Sequence, residues 1–219
     1  GIAIHAGTNL INTYGDYISG VDTLESAKTC PQLVSGVLKP QDMKLAGIYA
    51  FTAAALIGLL LAYLCGWLIM AVGIVGIIAG YCYTAGWAPY KYKGLGTIFV
   101  FFLMGPLMTW PSYYIQTGQH SWLPILSSIP VSFLVAGILH ANDLRDMASD
   151  RQAKIKTLVL FLGLNKSIIL YHILYTAAFL YLFVLFLFSL LPWTALLPLI
   201  LVPVIRKMYM LAHTAFKES

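Results

Sequence analysis

Residues 140–151 read His140-Ala141-Asn142-Asp143-Leu144-Arg145-Asp146-Met147-Ala148-Ser149-Asp150-Arg151 and close a predominantly apolar run over 122–141. Asp143, Asp146 and Asp150 are three of the chain's eight acids. At about 100° per residue a helix sets these three carboxylates in one narrow stripe. Two such charges ~4 Å apart repel by roughly 1 kcal/mol in water and about four times that near a low-dielectric surface. The stripe therefore calls for a compensating cation. A hard divalent metal, magnesium or calcium, suits carboxylate oxygens that no His/Cys ligand pattern accompanies.

Outward from this stretch the chain is apolar. Of 219 residues, 60% are hydrophobic and 10% charged, and several runs approach the ~20 residues that cross a bilayer. Spans are expected at 44–64, 67–85, 97–116, 122–141, 167–190 and 191–211, with residues 1–17 as the end of a further helix. The expected fold class is all-α, a polytopic transmembrane helix bundle in a single domain over 1–219. A start at Gly1 without Met and a stop at Ser219 without a closing apolar run suggest missing terminal segments, and nothing resembles a cleavable signal peptide.

The thirteen cations set the orientation. Lys28, Lys39 and Lys44 follow the first helix, Lys91 and Lys93 lie in the loop before the 97–116 span, and Arg145, Arg151, Lys154, Lys156 and Lys166 crowd 142–166. Arg206, Lys207 and Lys217 close the chain. The alternate turns, near Cys65-Gly66, Thr117 to Trp122 and Leu191-Pro192-Trp193, carry no Lys or Arg. By the positive-inside rule the charged loops face the cytoplasm. Topology thus accounts for the net charge of +5, which argues against nucleic acid as a partner and leaves membrane lipid as a secondary one. Cys30, Cys65 and Cys82 have no paired spacing, so neither disulfides nor zinc is indicated.

A second polar helix end opens the chain. Asn9, Asn12 and Asp16 fall on one helical face, and Asp22 lies beyond Gly20, where the helix is expected to end. Asparagines also glue membrane helices together, which suffices for Asn9 alone. An ionisable residue at membrane depth is a functional candidate by default. Asp42 reads as a helix-start residue, and Gly76 and Gly80 form a small-residue face for close helix packing. Residues 81–96 mix aromatic and basic side chains, as an interfacial belt with snorkelling lysines also would. Pro106, Pro111 and Pro130 are expected to kink spans around a cavity.

Five of the eight acids, Asp16, Asp22, Asp143, Asp146 and Asp150, therefore occupy two clusters on one membrane side. If the bundle closes, the clusters face each other across a cavity mouth. That arrangement suits a diphosphate held through magnesium, carboxylates on one side of each ion and phosphate oxygens on the other. Lys91, Lys93, Arg145 and Lys154 are placed to neutralise remaining phosphate charge. Tyr14, Tyr83, Trp87 and Tyr92 offer faces that stabilise an allylic carbocation.

Asn9-Leu10-Ile11-Asn12-Thr13-Tyr14-Gly15-Asp16-Tyr17 to Gly20-Val21-Asp22, and Asn142-Asp143-Leu144-Arg145-Asp146 to Asp150-Arg151 to Lys156-Thr157, resemble the two aspartate-rich motifs of the UbiA superfamily of membrane prenyltransferases. Tyr83-Thr84 through Tyr92-Lys93-Gly94-Leu95-Gly96 resembles that family's segment between its fourth and fifth helices. The Asn-Thr-Tyr-x-Asp form of the first motif, followed by Leu33-Val34 and Leu38-x-Pro40, is similar to the menaquinone branch, 1,4-dihydroxy-2-naphthoate polyprenyltransferase and menaquinone-4 synthase. The resemblance implies nine helices around a central cavity, of which about seven lie here, without the family's first and last. It implies transfer of a polyprenyl group from polyprenyl diphosphate to an aromatic quinone precursor. It implies Mg2+, two ions bridging the diphosphate, held by Asp16, Asp22, Asp146 and Asp150, with Asn12 and Arg145 shaping the site and Lys91 at a basic position used for the diphosphate.

Three positions depart from the family pattern. Thr13 replaces the first Asp of many first motifs, Pro31 stands where relatives often carry an arginine, with Lys28 as its substitute, and Thr97 replaces an acid that commonly follows Gly-Leu-Gly. Other acceptors on the same scaffold are a glycerol-phosphate ether lipid, 4-hydroxybenzoate or a chlorin. From another class, a cation transporter would carry acids deep in several spans, whereas these cluster at helix ends. A CDP-alcohol phosphotransferase would need an Asp-Gly-x-x-Ala-Arg lead-in that is absent.

Overall fold

The computed structural model describes residues 1–23 and 30–218, the last seven by their backbone. Lys28 lies outside the described residues. Among those described the chain is all-α, and a parallel bridge between Lys93 and Lys156 is the one strand-like pairing. The helices are α1 (Ile2–Ile18), α2 (Pro31–Val34), α3 (Pro40–Cys65), α4 (Trp67–Tyr81), α5 (Gly96–Met104), α6 (Pro106–Thr117), α7 (Leu123–Arg145), α8 (Met147–Gln152), α9 (Leu158–Leu162), α10 (Leu164–Leu187) and α11 (Val202–Glu218), with a 3-10 segment over Trp193–Leu201. Five segments are long and apolar enough to cross a membrane: Pro40–Cys65, Gly96–Thr117, Leu123–Arg145, Leu164–Leu187 and Trp193–Leu211. Leucines such as Leu56, Leu59 and Leu180 stand exposed along them, as a lipid-facing surface requires.

Two spans break within their expected bounds, and the aspartate stripe needs correction. The span expected at 97–116 is present over Gly96–Thr117, and it breaks into two helices at Pro106 as expected, because proline lacks an N–H and clashes with the preceding turn, and Gly105 at the break lies against Ser132 of α7 with no room for a Cβ. The span expected at 191–211 is present over Trp193–Leu211 but is built from two kinds of helix. Pro192 caps its start and Pro198 lies within it, so its first half is 3-10 and α11 begins only at Val202. The stripe of Asp143, Asp146 and Asp150 is interrupted, since α7 stops at Arg145, Asp146 sits in the cap, and α8 restarts at Met147.

The chain divides into two compact units, Gly1–Lys93 with Ser149–Lys156, and Gly94–Ala148 with the residues from Thr157 onward. In the first, α1 packs on α3 and α4 through small residues. A Cβ on Gly47 would lie 2.8 Å from Ile11 and one on Gly80 would lie 2.5 Å from the Thr8 hydroxyl, so the backbones meet closely where the sequence supplies glycine. The expected Gly76 and Gly80 face is thus a helix contact. Pro40 at the first position and Asp42 in the first turn start α3 as its sequence implies.

In the second unit α7 is the central helix, packed on α5, α6 and α10. Its Gly137 accommodates the Tyr175 ring, to which a Cβ would approach within 2.7 Å. Leu144, Val159, Ile168 and Tyr171 form the buried core at the α7 C-terminal end. His140, fully buried, bonds through Nε2 to the Ser167 carbonyl at 2.9 Å and so ties α7 to the start of α10.

Candidate active site

The last turns of α1 carry the first cluster. Asn12 and Asp16, one turn apart, face the same way, as i and i+4 must. The helix ends in a Schellman turn: Gly20, at φ +73°, reverses the chain so that the Val21 amide bonds the Asp16 carbonyl at 2.9 Å. The Asp22 amide reaches the same carbonyl at 3.2 Å, so the turn folds Asp22 back onto the helix end that bears Asp16.

The segment after α4 folds over this end. Its residues pair with themselves, the Tyr90 amide bonding Cys82 at 3.1 Å and the Lys91 amide bonding Tyr83 at 2.9 Å. It seats on α1 where Gly15 leaves room, because a Cβ there would lie 3.3 Å from Thr84. This seating delivers Lys91 to α1. Its ammonium donates to both carboxylate oxygens of Asp16, at 2.8 and 2.7 Å, and to the amide oxygen of Asn12 at 3.0 Å. The Tyr92 hydroxyl donates to Asp16 Oδ1 at 2.8 Å. The Tyr83 and Tyr92 rings flank the ammonium at 5.8 and 5.7 Å, within cation–π range.

Asp16 is buried and its partner nearly so, with side-chain exposures of 10% and 15% for Asp16 and Lys91. A buried carboxylate without a cation is strongly disfavoured, which explains the density of donors around it. Burial first, then the Asp16 charge, raises the Tyr92 hydroxyl above its ordinary 10.0, so Tyr92 keeps the proton it donates. Tyr90 is also raised, by burial and then by Cys82.

Asn9 and Tyr14 share α1 but have other neighbours. Asn9 is exposed with its amide 3.2 Å from the His5 ring, and Tyr14 lies under the Lys44 ammonium at 5.7 Å. Trp87 is 78% exposed. Thr13, where the resemblance would place an acid, is buried and donates to the Asn9 carbonyl at 3.0 Å. Gly15, Ser19 and Thr84 were not among the sequence candidates. Ser19 Oγ lies 3.4 Å from the Tyr92 hydroxyl, and the signal for Gly15 was a small residue immediately before the aspartate.

In the second unit, Arg145 forks onto its neighbour Asp146, Nε and a terminal nitrogen donating to the two oxygens at 2.8 and 2.6 Å. Asp143 is half-buried on the same helix end. Asp150, assigned to the first unit, is buried. The turn after it is closed by Ile155 bonding the Asp150 carbonyl at 3.2 Å and by Lys154 in a left-handed conformation, φ +56°. Lys93 and Lys154 are exposed. Among the described residues no three His, Cys, Asp or Glu side chains gather closely enough to hold a metal ion by themselves.

A family model described as the UbiA prenyltransferase family matches residues 1–217. The chain belongs to the UbiA prenyltransferase family. With the five apolar spans, membership makes it an integral membrane protein. It is 34% identical over 176 residues to human UbiA prenyltransferase domain-containing protein 1, covering 79% of this chain and 51% of that protein. The mouse protein of the same name is 33% identical over 176 residues, 79% of this chain and 52% of its own length. The 1,4-dihydroxy-2-naphthoate octaprenyltransferase of Bacillus subtilis (strain 168) is 31% identical over 178 residues, 81% of this chain and 57% of the enzyme. This UbiA chain thus spans about half the length of the curated relatives it matches.

Proposed function

We propose that this UbiA chain belongs to an enzyme that transfers a polyprenyl group from its diphosphate to an aromatic acceptor resembling 1,4-dihydroxy-2-naphthoate, in menaquinone biosynthesis, with magnesium as cofactor and the site on the cytoplasmic side. The observation that carries the reading is the Asp16 cluster, where a buried carboxylate and an amide oxygen converge on one cation among tyrosine rings. Family membership supports prenyl transfer, and the name of the Bacillus relative supports the acceptor.

The donor chemistry fits magnesium. Asp16 and Asn12 offer hard oxygens and already attract a cation, and Asp22 follows on the same helix end. Because no three acids gather among the described residues, diphosphate oxygens and water would complete each ion's shell. Two magnesium ions, when bound, neutralise the diphosphate and make it a better leaving group.

The chain's own residues do the rest. Asp16, Asp22, Asp143, Asp146 and Asp150 supply carboxylates. Lys91, Lys93, Arg145 and Lys154 supply positive charge to the diphosphate as its bond to the allylic carbon stretches, and Arg145 also holds the Asp146 carboxylate in one orientation. The rings of Tyr83 and Tyr92, which lie against the Lys91 ammonium, would offer their faces to the positive charge that develops on that carbon.

The test is the full-length protein in detergent or nanodiscs with magnesium, labelled geranylgeranyl diphosphate and a panel of acceptors: dihydroxynaphthoate, 4-hydroxybenzoate, glycerol phosphate ether lipid and chlorin. Prenylated dihydroxynaphthoate is the expected product, with turnover abolished in Asp16→Asn and Asp146→Asn while both remain folded. Full turnover in either variant sinks the roles assigned, and a preference for another acceptor sinks the menaquinone branch.

A further inference from the structure

We propose that Lys91 is a resident counter-ion that the metal must displace from Asp16, so that one ammonium competes with the metal before the diphosphate binds and pairs with the diphosphate afterwards. The inference rests on the function proposed above and concerns how its site is loaded.

Both oxygens of the Asp16 carboxylate are engaged in this structure. Lys91 takes both oxygens and Tyr92 takes one of them again. An ammonium and a divalent ion held at contact distance on one buried carboxylate repel each other strongly, because the surroundings screen poorly. A metal that takes Asp16 therefore drives the ammonium away.

The ammonium has somewhere to go. Lysine ends in a point charge on a flexible stem, and here two rings, Tyr83 and Tyr92, lie within cation–π range of it, so small rotations keep it near an aromatic face. A diphosphate arriving with the metal brings more negative charge than one metal ion can neutralise, and the released ammonium is a positive group already at the end of α1. Asn12 loses the same donor and its amide oxygen becomes free for the metal shell. Metal and diphosphate should consequently bind cooperatively, each paying little only when the other is present, and the metal alone should bind weakly.

Mn2+ serves as the probe, its binding to full-length protein read from the loss of the free-ion EPR signal, with and without inorganic pyrophosphate. Removing a buried positive charge at contact distance should tighten Mn2+ alone by about tenfold or more in Lys91→Met. The same variant should gain much less than wild type from added pyrophosphate. Asp16→Asn in the Lys91→Met background should erase the tightening, placing the effect on this carboxylate. Thermal unfolding reports whether each variant is folded. A second measurement needs no variant: Mn2+ with pyrophosphate should change the acylation of Lys91 by an amine-directed reagent, read by mass spectrometry.

Mn2+ affinity unchanged or weakened in folded Lys91→Met overturns the exchange, as does Lys91 labelling indifferent to metal. Neither arm uses a prenyl substrate. A protein inert in the transfer assay that still shows the Mn2+ effects overturns the function and keeps the exchange, whereas normal transfer with no Mn2+ effect overturns the exchange alone.

Discussion

Thr84 closes on Gly15 so tightly that a Cβ at position 15 would stand 3.3 Å from its Cβ and hydroxyl and 3.4 Å from its carbonyl oxygen. The contact couples two parts of the site, since Gly15 precedes Asp16 on α1 and Thr84 belongs to the segment that ends in Lys91. Gly15→Ala should raise intrinsic helix stability by about 1 kcal/mol while the crowding pushes the segment outward, at a cost of about 1–3 kcal/mol. The expected outcome is a small net change in thermal midpoint with a clear loss of pyrophosphate binding and turnover. Wild-type binding in Gly15→Ala would show that the seating does not position Lys91.

Tyr92 gives the site an alkaline signature. Its hydroxyl is held above 10.0 by burial and by Asp16, so the folded protein retains a proton that the unfolded chain releases near the ordinary value. The stability contributed is complete below about pH 10 and declines as pH rises toward the higher folded value. Thermal unfolding in detergent from pH 8 to 11 should therefore show a shallower alkaline decline in Tyr92→Phe than in wild type. Some decline should persist, because Tyr90 is raised in the same direction.

What the sequence disclosed and what it hid divide along physical lines. The Asn12 and Asp16 face, the end of α1 at Gly20, the start of α3 at Asp42 and the Gly76 and Gly80 contact all follow from local helix geometry, and all appear as read. The join between Lys91 and Asp16, 75 residues apart, depends on how an irregular segment folds back on itself, which periodicity cannot carry. Helical spacing groups Asn9 with Asp16, and ring chemistry makes Tyr14 a candidate, yet their neighbours are His5 and Lys44. Spacing gives a face, and tertiary packing chooses the partners. The aspartate stripe assumed a continuous helix, and it breaks where Asp146 turns its carboxylate onto Arg145 at the end of α7. The prolines at 106 and 198 were visible, but how far each would disturb its span depended on contacts such as Gly105 against Ser132.

His140 is the buried link behind the second motif, its Nε2 on the Ser167 carbonyl and its other ring nitrogen without a partner among the described residues. His140→Ala removes a fully buried ring from the junction of α7 with α10 and should cost about 2–4 kcal/mol, in the range of large-to-small core changes. His140→Asn restores a donor and part of the volume and should recover part of that loss. Thermal midpoints in one detergent order the three proteins. An Ala variant as stable as wild type would mean that the helix junction is held without this bond.

Lys154 occupies a backbone conformation that favours glycine, φ +56°, in the turn that follows the buried Asp150. A side chain there costs roughly 1–2 kcal/mol relative to the right-handed region, and glycine would relieve the strain at an entropic cost of about 0.5–1 kcal/mol. Lys154→Gly should thus be as stable as wild type or slightly more so. If the lysine is kept for its charge on the diphosphate, the same substitution should weaken pyrophosphate binding measured with Mn2+ present and steepen no other loss, moving function and stability in opposite directions. Lys154→Asn, which tolerates the left-handed region but carries no charge, should behave like the glycine variant in binding. Undiminished pyrophosphate binding in both would remove Lys154 from the site and leave its conformation a feature of the turn alone.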